Sequence, residues 1–274
     1  MVQTEDRTGR ECLDVIPHGE FMRPSEFCDS GNSKISTAVR NILKGCRNNE
    51  GDIATRLFFW VRDNVKYKLG LHADRASETL LKAEGSCSNK ANLLVALLRA
   101  VELPAGFHIL EVKTKEYFGP LSIRRINQFI SSKSLHVHSA IYLHDKWVSV
   151  DASDDIRLSQ SVRHLSPQAT PVDFHGTRDA LLHLDPAHII SKSEFPLPSI
   201  DHIFRKTSKL PTEMLRILDI YADYLRQNCI LFDSIEEMEA AFFEWLQIVR
   251  PIDHQIFTAF EEQLMKAQLT HAPG

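Results

Sequence analysis

The sequence predicts an α+β fold: an Ala/Leu-rich helix packed on a small antiparallel sheet, followed by a helical appendage at the C-terminus. Three observations carry that reading. The segment CSNKANLLVALLRAVEL, starting at Cys87, is an unbroken run of strong helix formers. The stretches HVHSAIYL and KWVSVDA flank His144-Asp145 and read as the two strands of a hairpin. From Pro211 onward apolar residues recur at helical spacing in three successive segments.

The elements follow in order. Residues 1–33 carry Pro17, Pro24, Gly19 and Gly31 and no sustained periodicity, so they read as an extended arm. Ser33 or Ser36 is placed to cap a helix running to about Arg47, with Ile35, Val39, Ile42 and Leu43 on one side. Asp52 then caps a second helix whose stripe is Ile53, Leu57, Trp60, Val61 and Val65. Lys66–Leu69 reads as a short extended piece, and Ser77 opens a brief helix that Gly85 stops. After the Cys87 helix, Pro104-Ala105-Gly106 leads into a strand at Phe107–Val112. Residues 114–134 read as loop with one helix, its apolar face being Leu121, Ile123, Ile126, Phe129 and Ile130. Residues 152–210, rich in Pro, Ser, Asp and His, read as mostly loop. The C-terminal helices fall at about 212–227, 235–249 and 253–268. Ser234 with Glu237 forms a capping box, and Pro251 sets the last break.

Composition narrows the class. The chain has 274 residues, 43% hydrophobic and 25% charged, which is ordinary for a globular protein. A net charge of −4 offers no basic footprint for nucleic acid and no polybasic membrane patch. No apolar run reaches the length of a membrane span, and the polar N-terminus lacks the pattern of a signal peptide. The expectation is a cytoplasmic protein with no nucleic-acid or membrane partner. Five cysteines at wide spacing make a poor disulfide framework, and no CxxC pair marks a zinc site. Cys46 and Cys229 sit in helical patterns and read as small buried hydrophobes; Cys12 and Cys28 fall in the arm. Asp173, His175, Asp179 and His183 are spaced too loosely for a metal centre and read as surface polar residues. No glycine loop marks a phosphate or dinucleotide site, so neither metal nor cofactor is expected.

Cys87 stands apart. Gly85-Ser86 lets the chain turn sharply into the helix, so the thiol sits in the first turn, beside unpaired N–H groups and the positive end of the helix dipole. Both favour thiolate, and the same N–H groups suit an oxyanion; position alone fits a buried cysteine capping a core helix equally well. A nucleophilic cysteine needs a base and the base an orienting group. The hairpin supplies His136, His138 and Asp151. With His144-Asp145 as a two-residue turn, His138 faces Asp151 directly and His136 lies diagonal to it on the same face. Either histidine is then within reach of the carboxylate.

These residues also carry a resemblance. FFWVRDNVKY, ASETLLKAEGSCSNKANLLVALLRAVELPAGF and HVHSAIYLHDKWVSVDA together resemble the core of the transglutaminase-like, papain-like cysteine enzyme superfamily, over about residues 50–155. PVDFHGTRDALLHLDP, at 171–186, is similar to a segment that follows the Asp strand in bacterial members of unassigned function. The resemblance implies a papain/transglutaminase-like core. It makes Cys87 the nucleophile and Asp151 the orienting acid. Its spacing favours His136 as base, since His136 stands six residues before Tyr142-Leu143, and leaves His138 as the alternative base or a cleft residue. Tyr67 and Ser88 become oxyanion or cleft residues, with core packing the alternative for Tyr67. The implied domains are an arm at 1–33, a catalytic domain at 34–205 and a helical subdomain at 206–274.

The implied function is a cysteine-dependent acyl transferase or hydrolase that forms an acyl-Cys intermediate on an amide or thioester. Its substrate is a small-molecule, peptide or carrier-protein-bound acyl group. One specific form condenses or cyclises a carrier-bound natural-product chain, by carbon–carbon or amide bond formation. The alternatives are an intracellular cysteine peptidase or amidase, and a catalytically silent binding module.

Overall fold

The computed structural model describes residues 18–47, 49–69, 73–118, 123–127, 131–165, 170–206, 212–228 and 231–270. In chain order its elements are α1 (His18–Met22), α2 (Ser33–Ile42), α3 (Glu50–Asn64), β1 (Lys66–Tyr67), α4 (Ala76–Lys82), β2 (Glu84–Gly85), α5 (Cys87–Arg99), β3 (Ala105–Lys113), α6 (Thr114–Phe118), α7 (Arg124–Asn127), β4 (Lys133–Leu143), β5 (Lys146–Val150), α8 (Ile156–Val162), β6 (Ile189–Lys192), α9 (Asp201–Phe204), α10 (Thr212–Gln227), α11 (Ile235–Val249) and α12 (Pro251–Thr270). A 3-10 turn at Pro186–His188 precedes β6. The fold is α+β, as the sequence predicts. A four-stranded antiparallel sheet, ordered β5-β4-β3-β6, packs against α5, and a two-stranded parallel piece joins β1 to β2.

α5 is the spine. Every residue from Cys87 to Arg99 is buried. Its Leu93, Leu94, Leu97 and Leu98 meet Leu57, Phe58 and Val61 of α3 and Val137, Ile141 and Leu143 of β4 in one apolar cluster. At its start Ser86 donates through both its N–H and its hydroxyl to Asn89 Oδ1, at 3.2 and 2.8 Å. Those bonds fix the entry to the first turn. Gly85 is obligatory there because a Cβ would stand 2.6 Å from the Asn89 Cβ. At the far end Arg99 donates to the carbonyls of Arg23, Ala105 and Pro198.

The hairpin forms as read. His144 and Asp145 both adopt positive φ, 51° and 62°, the left-handed pair that a two-residue turn between right-twisted strands requires. Leu143 faces Lys146 and Tyr142 faces Trp147.

Several boundaries move, each for a local reason. Asn32, not Ser33 or Ser36, caps α2 by accepting from the Lys34 N–H, and α2 ends at Ile42 rather than near Arg47. Cys46 therefore lies past the helix and is only half-buried. Asn49 takes the cap of α3 that Asp52 was expected to hold. Arg75 precedes α4, so Ser77 sits inside it, held by Asp29. Residues 152–210 contain α8, β6 and α9, pieces of seven, four and four residues, too short to show a period among the surrounding polar residues. Residues 18–33, expected in an extended arm, pack onto the core: Cys28 is buried, and Ser25, Glu26 and Phe27 bond to Asp201. Residues 1–17 with Cys12, Cys229, Leu121, Phe129, Ile130 and the Ile126 side chain lie outside the described residues. The helices expected at 212–227 and 235–249 are α10 and α11, and α12 starts at Pro251. No described helix is long and apolar enough to cross a membrane.

A second apolar cluster joins Met214, Ile217 and Tyr221 of α10 and Phe242 of α11 to Tyr67, Leu69 and Cys87. The C-terminal helices thus share their core with the start of α5.

Packing makes one glycine a sensitive probe. A Cβ at Gly106 would stand 2.7 Å from the Leu197 carbonyl oxygen and 2.8 Å from the Phe21 ring, which itself rests 4.8 Å from Trp147. Gly106→Ala is expected to lower stability by about 1–3 kcal/mol in urea unfolding. Gly31→Ala meets nothing within 4 Å and should stay within about 0.5 kcal/mol of the parent.

Candidate active site

Three elements converge on one buried group of side chains. α5 presents Cys87 from its first turn, β4 presents His136, and the end of β5 delivers Asp151. Cys87, His136 and Asp151 are 7%, 1% and 2% exposed.

His136 is the histidine paired with Asp151. Its Nε2 lies 2.6 Å from Asp151 Oδ2. Continuing the hairpin register places His138, not His136, opposite Asp151. The ladder, however, stops at Val150. Asp151 then turns its N–H to the Ala180 carbonyl at 2.8 Å, and its Oδ1 accepts from the N–H and hydroxyl of Ser153. That departure aims the carboxylate along the diagonal.

His138 lies on the same face, with ring centroids 6.1 Å from His136 and 5.3 Å from His108. Its Nε2 is buried without a hydrogen-bond partner among the described residues. Burial pushes His138 down to about 3, so it is neutral and cannot serve as an imidazolium. The ligand atoms of His136, His138 and Asp151 lie within 4.8 Å of one another, close enough to hold a metal ion, although the sequence predicted none. Two of those three side chains are already bonded to each other.

The electrostatics couple the three side chains. Burial pushes the Cys87 thiol up, but hydrogen bonding and charge attraction to His136, with a bond from the Val137 backbone, outweigh it and set it below the usual thiol range. Burial pushes His136 down, but Asp151 and then Cys87 raise it to about 10. Burial likewise raises Asp151, and the attraction and hydrogen bond of His136 reverse this to about 2. Each member favours the charged form of the next.

Two phenols close the site. Tyr117, on α6, sets its hydroxyl 2.7 Å from His136 Nδ1. The Tyr67 phenol is buried beside Cys87 and Tyr117, and burial raises both phenols well above their ordinary range. The sequence placed Tyr67 either in the core or in the cleft, and it occupies both. Tyr117 was missed: it stands in a segment read as loop, with no motif to mark it. Ser88 is buried in the first turn of α5, beside Cys87. Asp173 binds Arg62 and Asp179 accepts from the Ser149 N–H, while His175 and His183 are exposed. Those four residues form no single group.

The C-terminal helices are wired to this site. Arg226 of α10 bonds Asp155 Oδ2 at 2.8 Å and also the Tyr67 carbonyl, and the same Asp155 oxygen accepts from the Tyr67 N–H at 3.1 Å. Arg226 and Asp155 are both almost fully buried.

A cysteine at a helix start, a strand histidine and a strand-end aspartate, on this α+β scaffold, define a papain-like arrangement. Residues 36–152 match the family model of the transglutaminase-like superfamily. A solved structure from Cytophaga hutchinsonii, named as a "putative cysteine protease", is similar at 23% identity with a TM-score of 0.38. The match covers 52% of this chain and 42% of that one, so the chain spans less than half the length of that protein. No curated protein matches.

The pairing predicts how Cys87 responds to pH. Because its folded value lies below that of an ordinary thiol, the thiolate persists as pH falls below about 8, where an unperturbed thiol is mostly protonated. Its alkylation by iodoacetamide should level off at a lower pH than that of a free thiol. His136→Ala should abolish the displacement and Asp151→Asn should reduce it. His138→Ala should leave it in place, and a displacement lost only in His138→Ala would make His138 the partner of Cys87.

Proposed function

We propose that the chain is a cysteine-dependent acyl-transfer enzyme working through an acyl-Cys87 intermediate. The observation that carries this reading is the continuous buried connection from Cys87 through His136 to Asp151. A binding module has no need of a charged, hydrogen-bonded triad held out of water, where each ion costs several kcal/mol to desolvate, by about the margins typical of buried pairs.

The steps follow from the atoms. The Cys87 thiolate attacks the acyl carbon. The first N–H groups of α5, at Cys87 and Ser88, have no partner within the helix and face the developing oxyanion. The Tyr67 hydroxyl, buried beside Cys87, adds a donor. His136 passes its proton from Nδ1 to the leaving group, and Asp151 holds the ring through Nε2. In the resting site the Tyr117 oxygen occupies the place beside Nδ1, so the leaving group enters as Tyr117 withdraws. An acceptor then takes the acyl group from sulfur: water in a hydrolase, an amine or a carbanion in a transferase or cyclase.

The wall of the site indicates the kind of acyl group. Met214, Ile217 and Tyr221 of α10 share the cluster of Cys87, Tyr67 and Leu69. An apolar acyl chain, presented as a thioester or amide, fits such a wall better than a charged one. We therefore place the C-terminal helices, 206–274, as the part that selects the acyl chain, the catalytic domain being 34–205. A carrier-bound chain that cyclises on release is the most specific form of this reading.

Intact-mass measurement after incubation with apolar acyl thioesters and with peptide amides tests it. A single acyl adduct is expected in the parent chain and none in Cys87→Ala. Formation from thioesters followed by a cyclic product supports the cyclase form, and free acid supports a hydrolase. An adduct of equal yield in Cys87→Ala would contradict the mechanism. Tyr117→Phe, which frees Nδ1, is expected to raise the initial acylation rate by about threefold or more.

A further inference from the structure

Lys90 is a fully buried cation that the acyl-transfer steps leave without a task. It lies on α5 one turn beyond Cys87. Its Nζ donates to three main-chain carbonyls: Val65 at 2.6 Å, Asp154 at 2.6 Å and Arg62 at 3.3 Å. Those carbonyls belong to the parts of the chain that build the site. Arg62 is in the last turn of α3 and Val65 caps it, two residues before Tyr67. Asp154 lies three residues beyond Asp151. An ammonium has three N–H donors and here meets three acceptors; a neutral amine has only two.

Among the described residues no carboxylate competes for these donors. The Asp154 side chain accepts from Ser159 and from the Val172 N–H, and the Asp155 side chain accepts from Tyr67, Leu158 and Arg226. The charged groups around Lys90 are Asp151, Asp154 and Asp155 on the β5–α8 connection and Arg226 on α10. On α3, Arg62 turns its guanidinium to Asp63 and Asp173.

We propose that Lys90 is a positioning residue for Cys87: its ammonium ties the first turns of α5 to the entry of Tyr67 and to the loop that follows Asp151, so that thiol, phenol and carboxylate keep one geometry. The inference rests on the nucleophilic role proposed for Cys87. Burial pushes Lys90 down to about 8, against the attraction of Asp155 and Asp154. The sign matters. The folded value lies below that of an exposed lysine, so above it the unfolded chain keeps a proton that the folded chain has lost, and rising pH in that range does not lower folding stability through this group. A loss of Cys87 reactivity there is local loosening of the clamp, not unfolding.

The test is the rate of Cys87 carbamidomethylation by iodoacetamide on the full chain, read by peptide mass mapping, with far-UV circular dichroism alongside. Iodoacetamide is neutral and requires only the thiolate. The parent rate is expected to fall about threefold to tenfold between about pH 8 and about pH 9.5 while the fold persists. Lys90→Arg carries a charge that does not titrate in this window, and Lys90→Met carries none; both are expected to lose the falling limb, Lys90→Met from a rate already about tenfold lower. A parent rate that keeps rising through the window, or a falling limb that persists in both variants, would overturn the inference. If Lys90→Met does not fold, the parent profile and Lys90→Arg decide. A Cys87 no more reactive than Cys46 at neutral pH overturns the acyl-transfer reading and this inference together. A selectively reactive Cys87 with no Lys90-dependent limb overturns the inference alone.

Discussion

The 2.6 Å contact between His136 Nε2 and Asp151 Oδ2 is the constraint around which the site is arranged. Both side chains are almost wholly removed from water, where an unpaired charge would be prohibitively costly. Deleting one member of such a buried pair typically costs roughly 3–5 kcal/mol, because the other is left uncompensated. The pair therefore holds only if everything around it keeps the two groups in register. Ser153 satisfies the second carboxylate oxygen, Ala180 takes the Asp151 N–H, and Tyr117 meets the other ring nitrogen. Each hydrogen bond removes a competing orientation. What emerges is a cationic ring beside a thiol, which draws Cys87 toward the thiolate despite its burial.

The same constraint links the two apolar clusters. Cys87 opens the helix that anchors the first and is itself a member of the second. Arg226, Asp155 and Tyr67 form a buried junction between α10 and the strand that carries Tyr67. Asp219 adds a contact from α10 to the Leu69 N–H and to Lys68. The C-terminal helices are therefore part of the environment of the thiol. This is the physical basis for assigning them a part in substrate selection.

Much of this was legible in the sequence because it rests on local rules. The turn at His144-Asp145 fixed the hairpin register, and Gly85-Ser86 marked the sharp entry to α5. The choice between His136 and His138 was not available from strand alternation, since it depends on Asp151 leaving the ladder, and that turn is set by Ala180, far along the chain. The spacing of the resembling family pointed to His136, the histidine that pairs with Asp151, where hairpin counting favoured His138. Tyr117 and Lys90 were invisible for a related reason. Their partners, His136 in one case and the carbonyls of Arg62, Val65 and Asp154 in the other, are brought together only by tertiary packing. Helix caps were misassigned by one to four residues because several Ser, Asn and Asp side chains stand near each start, and backbone geometry selects among them.

The central claim is that Cys87 is held as the anion of a buried ion pair with His136. Thiolate absorbance in the far ultraviolet, taken as the difference between the parent chain and Cys87→Ser across pH, measures this without any substrate. The account predicts a thiolate signal that appears at lower pH than that of an ordinary thiol and moves up in His136→Ala. A signal that appears only near pH 8.5 or above, as for about an unperturbed thiol, and that is indifferent to His136 would contradict it.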